Sequence, residues 1–423
     1  MASRPLNRHD YRTLSLAALG GALEFYDFVI YVFLAGVIGR LFFPAAMPDW
    51  LRMLQTFGIF AAGYLARPLG GILIAHFGDL LGRKRMFSLS IFLMAAPTLA
   101  IGLLPTYASI GVAAPLLLLA MRTLQGVAIG GEVPGAWVFV AEHVPAQRFG
   151  LGIGTLTAGL TTGILLGSLM AGVINTIYSP ADVDAFAWRI PFILGGLFGF
   201  VSVWLRRFLE ETPVFKEMSA RRALAREVPL KTVLRDYRGE TLLALALTWV
   251  LTAGIVVVIL FTPTYLQQVF HVPARYALQA NTGATFTFAI GCLVFGWASD
   301  RFGARATMIA GFAGLLGSSY LFYSSMTDAP SVINKTYALT GFFVGAVTTV
   351  PIVAVRLFPA PVRFSGLSFS YNVSYAIFGG LTPVFLSLWL RTNPMAPAYY
   401  VGGLAIFGML LALVPSRSET LLP

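Results

Sequence analysis

Charge is what this sequence most lacks. Only 11% of its 423 residues are Asp, Glu, Lys or Arg, against about 25% in ordinary soluble domains. So few ionised groups cannot cover a water-facing surface, and 57% of the chain is hydrophobic with a mean hydropathy of +0.78. The chain is therefore read as a polytopic membrane protein whose surroundings are a lipid bilayer. Cysteine is almost absent. Cys292 stands alone in an apolar run, which excludes a disulfide within the chain and leaves the redox compartment unread. No phosphate loop of the form G-x-x-x-x-G-K-[ST] occurs, nor a G-x-S-x-G elbow, nor a Cys/His metal spacing. ATP hydrolysis, hydrolase chemistry, a metal and a bound cofactor are all without a home, and no enzyme activity is expected.

What is present is apolar length. A membrane helix needs about 20 mostly apolar residues, and twelve segments qualify: 14–38, 53–77, 86–104, 112–142, 150–176, 188–208, 240–266, 277–299, 305–325, 333–357, 364–391 and 395–414. The polar start MASRPLNRHDYRT leads straight into the first span without an A-x-A-like cleavage site, and reads as a retained cytoplasmic tail. With that tail inside, 21 of the 29 Lys and Arg fall on the cytoplasmic side and 6 outside, leaving Arg67 and Arg122 within spans. This bias puts both termini in the cytoplasm. It also accounts for the net charge of +11 without a nucleic-acid partner. The most charged segment, 209–239, separates six spans from six, so the expected organisation is a bundle over 1–208, a cytoplasmic amphipathic linker over 209–239 and a second bundle over 240–423.

The halves repeat. GDLLGRKR (78–85) follows the second span and SDRFGARA (299–306) the eighth; PAQRFG (145–150) follows the fourth and PAPVRFSG (359–366) the tenth. Parallel repeats with a site near the midplane between them are a transporter architecture. At these residues the chain resembles the major facilitator superfamily. GWASDRFGAR from Gly296 matches its loop pattern Gly-x-x-x-Asp-Arg-x-Gly-Arg-Arg. The first copy departs from it, with Ala75 for the first Gly and Leu80 for the Arg. RTLQGVAIGGE (122–132) is similar to the superfamily's Arg-x-x-Gln-Gly pattern.

More closely, the sequence resembles the metabolite:proton symporter family. The matching stretches are GALEFYDFVIYVF (21–33), ARPLGGILIAHFGD (66–79), LLPTYASIGVAAPLLLLAMRTLQG (103–126), EETPVF (210–215) and FGGLTP (378–383), which span both halves. The resemblance implies an all-α membrane protein of twelve helices in two pseudo-symmetric six-helix bundles. It also implies proton-driven uptake across a bacterial inner membrane, with the proton as the coupling ion. Family substrates are citrate and other carboxylates, 2-oxoglutarate, shikimate or zwitterionic osmolytes. FTPTYL (261–266) and AIFGGLTPVF (376–385) look most like the citrate branch. The osmolyte-sensing branch usually carries a long C-terminal coiled coil, whereas here about nine residues follow the last span. The expectation is import of an organic anion by a protein acting as a monomer. A zwitterion symporter and a proton-antiport exporter of a metabolite or siderophore are the alternatives.

Ionisable groups inside a bilayer are costly and usually face a cavity. Asp27 lies near the middle of the first span with Glu24 three residues before it, so both project to one face, and Tyr31 is one turn further out. Arg122 lies at a similar depth in the fourth span. An Asp27–Arg122 pair is expected, serving proton coupling or acting as a permanent salt bridge, with Glu24 open between coupling and structure. Arg67, in YLARPLGG, can grip a carboxylate through two parallel hydrogen bonds or serve as a fixed partner for Glu24 or Asp27. Glu132, about 15 Å further along the helix than Arg122, sits beside a bend at Gly130–Gly131 and Pro134, as part of an inner gate, a proton acceptor or a structural partner. His76 reads as structural. The second half offers polar aromatics instead of charge: Tyr371, Asn372 and Tyr375 in SFSYNVSY (368–375), and Trp249, Tyr265 and Gln268 in the seventh span. These are candidate substrate contacts or helix–helix hydrogen bonds. The resemblance carries a cytoplasmic gate role onto Asp79, Arg83, Asp300 and Arg301.

Overall fold

The structure, a computed structural model, describes residues 8–81, 83–130, 132–206, 229–326 and 330–414. Side chains at 8–17, 73–88, 202–206 and several other positions lie outside the description, which places Glu24, His76, Asp79, Arg83 and Glu132 beyond any statement of contact.

Lipid supplies no hydrogen bonds, so spanning backbone must satisfy itself within helices, and the described residues form twelve helical rods. The first half comprises α1 (Arg8–Phe33), α2 (Asp49–Leu81), α3 (Arg83–Leu103), α4 (Ala113–Ile129, resuming as Glu132–His143), α5 (Phe149–Ile177) and α6 (Arg189–Arg206). The second comprises α7 (Arg238–Thr252, continued to Val269), α8 (Ala274–Phe302), α9 (Ala304–Ser324), α10 (Pro330–Val344, continued to Leu357), α11 (Ala360–Ser374, continued to Trp389) and α12 (Ala396–Ala412). Among the described residues, six stretches are long and apolar enough to cross a membrane alone: 113–138, 149–177, 238–269, 274–302, 304–324 and 330–357. Two more do so as bent pairs, Gly21–Phe33 with Ala35–Phe42 at 60° and Pro180–Ala187 with Arg189–Val201 at 42°. α3 and α12 carry shorter apolar stretches, Phe92–Leu103 and Ala396–Ala412. The remaining two rods, α2 and α11, carry Arg67 and Asn372, both buried.

Two local features position that core. On α4, GVAIG places Gly126 and Gly130 one turn apart, and a Cβ at either would collide with the backbone of α2 at Gly63 or Arg67. Small residues at this spacing let two membrane helices approach closely, which brings Arg67 and Arg122 into one interior. The second feature is a widened π turn in α7 (Ala253–Phe261) and another in α11 (Tyr375–Gly379). Such turns are rare and recur at functional sites. The first leaves carbonyls for other donors: Thr262 Oγ1 bonds Val257 O at 2.9 Å and Tyr337 Oη bonds Val258 O at 2.6 Å.

The halves meet along α5 and α8, where Asn281 Nδ2 donates to Ser168 Oγ at 3.0 Å, and along α2, α4 and α11. Helical structure resumes within the expected linker as Pro229–Asp236, with Val233 buried; residues 207–228 lie outside the description.

Candidate functional site

Two arginines occupy the interior, Arg67 at 2% and Arg122 at 0% exposure. Arg122 Nη1 donates to Phe28 O at 3.2 Å and to Gln125 Oε1 at 2.8 Å, and the guanidinium stands 4.3 Å from the Phe28 ring centre and 4.5 Å from that of Tyr31. Its Nε and Nη2 have no hydrogen-bond partner among the described residues. Arg67 is enclosed by four rings, with its guanidinium carbon 5.0 Å from Tyr375, 5.1 Å from Tyr64, 5.6 Å from Tyr371 and 5.8 Å from Phe28. Its Nε and Nη2 are also without partners among the described residues. Among the described residues no carboxylate forms an ion pair with either arginine. A buried donor without an acceptor costs about 1–3 kcal/mol, more when charged, so the interior is built for an acceptor that the described side chains do not supply.

Asp27 does not supply it. The expected Asp27–Arg122 pair is not formed: Asp27, 2% exposed, turns toward α6, and its Oδ1 has no partner. Successive helical residues are about 100° apart, so Phe28 takes the face toward the arginines and Asp27 the face toward α6. There GGLFG supplies Gly195 and Gly199 one turn apart, and a Cβ at Gly195 would lie 2.5 Å from Asp27 Oδ1 and 3.2 Å from Thr98 Cγ2. The glycines make room for the carboxyl. Thr98 joins the two sites, because its methyl borders this pocket while its Oγ1 accepts from Gln125 Nε2 at 2.7 Å. Gln125 in turn holds Arg122.

The other expected site residues divide. Tyr31 lies beside Arg122 and its hydroxyl donates to Thr56 O at 2.9 Å. Tyr371 and Tyr375 flank Arg67, Tyr375 stacking on Tyr64 at 5.5 Å and Tyr371 meeting Trp137 edge-on at 5.0 Å. Asn372 Nδ2 donates to Gly130 O across the halves, and its Oδ1 is buried without a partner. Trp249 does not join this group: its Nε1 donates to Tyr400 Oη at 2.9 Å and its ring stacks on Phe378 at 4.1 Å, which fixes it against α11 and α12. Tyr265 is held within the second half, donating to Pro394 O at 2.8 Å and packing on Tyr323. Gln268 lines a separate cavity described below. Asp300 accepts from the backbone N–H groups of Gly150 at 2.6 Å and Leu151 at 2.8 Å, at the start of α5, whereas Arg301 is exposed.

Sequence reasoning missed Phe28, Tyr64, Gln125, Thr98, Gly195 and Gly199. Tyr64 had a readable signal, standing three residues before Arg67 on the same face of α2. The others depend on helix rotation, which spacing within one helix does not set.

Phe57 of α2 meets Phe261 of α7 with ring centres 5.3 Å apart. Beyond that contact opens a cavity of about 710 Å³ lined by residues including Trp50, Arg40, Asp184, Gln268 and Arg391. Trp50 and Arg67 are seventeen residues apart on one helix, about 25 Å, so the cavity and the interior are distinct. At the opposite end Asp300 ties α8 to α5.

Comparisons with known proteins agree with this architecture. Residues 28–383 match the Major Facilitator Superfamily. A putative proline/betaine transporter of Staphylococcus aureus is 34% identical over 95% of this chain and 87% of its own length. The proline/betaine transporters of Salmonella typhimurium and Escherichia coli are each 32% identical, covering 97% and 94% of this chain and 83% and 82% of their own. These names do not carry the expected tilt toward citrate. Among solved structures, the partially occluded inward-open xylose transporter of E. coli superposes with a TM-score of 0.74 at 16% identity, over 96% of this chain and 98% of its own. A D-xylose-proton symporter gives 0.75 at 15% identity, over 96% and 99%. At such identities the likeness is one of fold. By sequence match over most of its length, and by its twelve-helix architecture, the chain belongs to the Major Facilitator Superfamily and is a multi-pass membrane transporter, not an enzyme.

Proposed function

We propose that the protein imports a small zwitterionic osmolyte of the proline or betaine kind together with protons, by alternating access of its two halves. It acts as a monomer in a bacterial inner membrane with both termini cytoplasmic. The observation that carries this reading is the Arg67 guanidinium, with two nitrogens unpartnered and four aromatic rings around it. A carboxylate suits the guanidinium fork, and a methylated ammonium suits aromatic faces. A zwitterion presents both. The relatives' names support the same class. Asp27 is the proposed proton site, since a buried carboxyl with no cation beside it can take up and release a proton without breaking an ion pair. A proton there is felt by the arginines through Phe28, the next residue, whose carbonyl and ring both meet Arg122.

Two buried guanidinium groups against one buried acid among the described residues favour a second reading, an organic anion. Uptake into proteoliposomes separates the two. Betaine and proline are expected to accumulate when the outside is made acidic, and citrate or shikimate is expected neither to accumulate nor to compete. Accumulation of the carboxylates alone overturns the zwitterion reading, and accumulation driven only by an acidic interior makes the protein an exporter.

Asp300 is the proposed inner latch of the cycle. Its carboxylate accepts from two N–H groups at the start of α5, where the helix dipole favours an anion. Charge-assisted hydrogen bonds contribute about 1.5–3 kcal/mol. Asp300→Asn, which turns one acceptor into a donor, is expected to raise the labelling rate of a cysteine placed on the cytoplasmic side of the interior by about tenfold or more. An unchanged rate removes the latch.

A further inference from the structure

The 710 Å³ cavity beyond Phe57 and Phe261 is unused by the mechanism above, and its charges are unevenly partnered. Arg40 makes two hydrogen bonds to Asp184, at 2.7 and 3.0 Å. Arg52, at its edge, pairs with Asp49. Arg391 has no carboxylate or other acceptor among the described residues; its guanidinium carbon lies 4.3 Å from the centre of the Trp50 ring. Trp50 opens α2 in the first half and Arg391 follows α11 in the second, so this contact ties the halves together across the cavity. It is also open to water, with Trp50 40% exposed and Arg391 exposed, and cation–π contacts at exposed sites are weak.

We infer that the cavity is a docking site for zwitterionic solutes, in which the solute inserts between Arg391 and Trp50. Its carboxylate takes the Arg391 guanidinium and its ammonium takes the Trp50 ring, so one cation–π contact becomes an ion pair followed by a new cation–π contact. Charge alternates along the whole sequence of groups. A neutral sugar gains neither contact, and a carboxylate without a cation strands the ring. Insertion also parts the two halves at the cavity mouth. Gln268 lines this cavity and the smaller one beside Thr56, and the Thr56 carbonyl accepts from the Tyr31 hydroxyl. The inference rests on the zwitterion reading of the interior.

The test is the concentration dependence of betaine uptake into proteoliposomes by the full chain. Trp50→Leu and Arg391→Gln are each expected to raise KM about threefold to tenfold, as loss of one exposed cation–π or ion-pair contact does. Maximal rates stay within twofold, because neither residue touches the interior. Trp50→Phe and Arg391→Lys recover most of the loss. The double variant is no worse than the weaker single, because both act on one bound solute. Unchanged KM in both single variants, with the unmodified protein still carrying betaine, overturns the docking site and leaves the zwitterion reading standing. A fall in maximal rate alone overturns it too, since Trp50 and Arg391 then act only as a latch. An unmodified protein that neither binds nor carries betaine or proline removes both.

Discussion

Arg67→Gln is expected to lower proton-driven uptake more than a hundredfold while leaving the fold intact. The guanidinium offers the substrate carboxylate two parallel hydrogen bonds, each worth about 1.5–3 kcal/mol when charged, and a loss of about 3 kcal/mol or more is a factor above a hundred in affinity. Lysine is expected to restore little, because its ammonium is a point charge without the fork. Stability is expected to change less than it does for ordinary core substitutions. Arg67 Nε and Nη2 have no acceptor among the described residues, so glutamine removes a buried charge that nothing described satisfies, at the cost of contacts with four rings. The substrate-free unfolding temperature is expected to stay within a few degrees. Arg122→Gln is the contrast: Arg122 holds Phe28 O and Gln125, so its loss frees two buried acceptors and lowers that temperature. An Arg67→Gln protein that still concentrates betaine shows that the carboxylate binds elsewhere.

The parts of this site that were legible in the sequence were those set by chemistry, and the parts that were not were set by rotation and distance. Arg67, Arg122 and Asp27 stood out because an ionisable residue inside an apolar span is expensive anywhere in the bilayer. Tyr371 and Tyr375 stood out as aromatics in a polar stretch of an otherwise apolar helix. Which face each would take was not legible. Asp27 and Arg122 share a depth, and opposite charge made their pairing the natural expectation. Yet one residue of helical rotation puts Phe28, not Asp27, against Arg122, and α6 receives the carboxyl through Gly195 and Gly199. Trp249 and Tyr265 carried the same aromatic and polar signal as Tyr371, and their partners are Tyr400 and Pro394 instead. The twelve rods followed from length and hydropathy. The 60° bend of the first rod between Phe33 and Ala35 did not, because no proline or glycine stands at Leu34 to mark it.

Asp27→Asn is expected to abolish accumulation without abolishing movement. Asparagine keeps the size of the side chain, fits the space left by Gly195 and Gly199, and breaks no ion pair among the described residues. What it loses is the exchangeable proton. A symporter that carries one proton per substrate concentrates its substrate about tenfold for each unit of pH difference, since each unit supplies about 1.36 kcal/mol. With asparagine the internal concentration is expected to level off at the external one, whatever the gradient. Counterflow, which needs substrate binding and alternation but no net proton movement, is expected to persist within a fewfold. The unmodified protein should therefore take up betaine faster as the outside is acidified from neutral, and the variant at a rate independent of pH. The pairing of lost accumulation with retained counterflow is what separates a coupling role from a packing role, because a defect in folding removes both. Continued accumulation in the variant would place the coupling proton on another group, and Glu24 and Glu132, two further acids of the first half, would be the next to substitute.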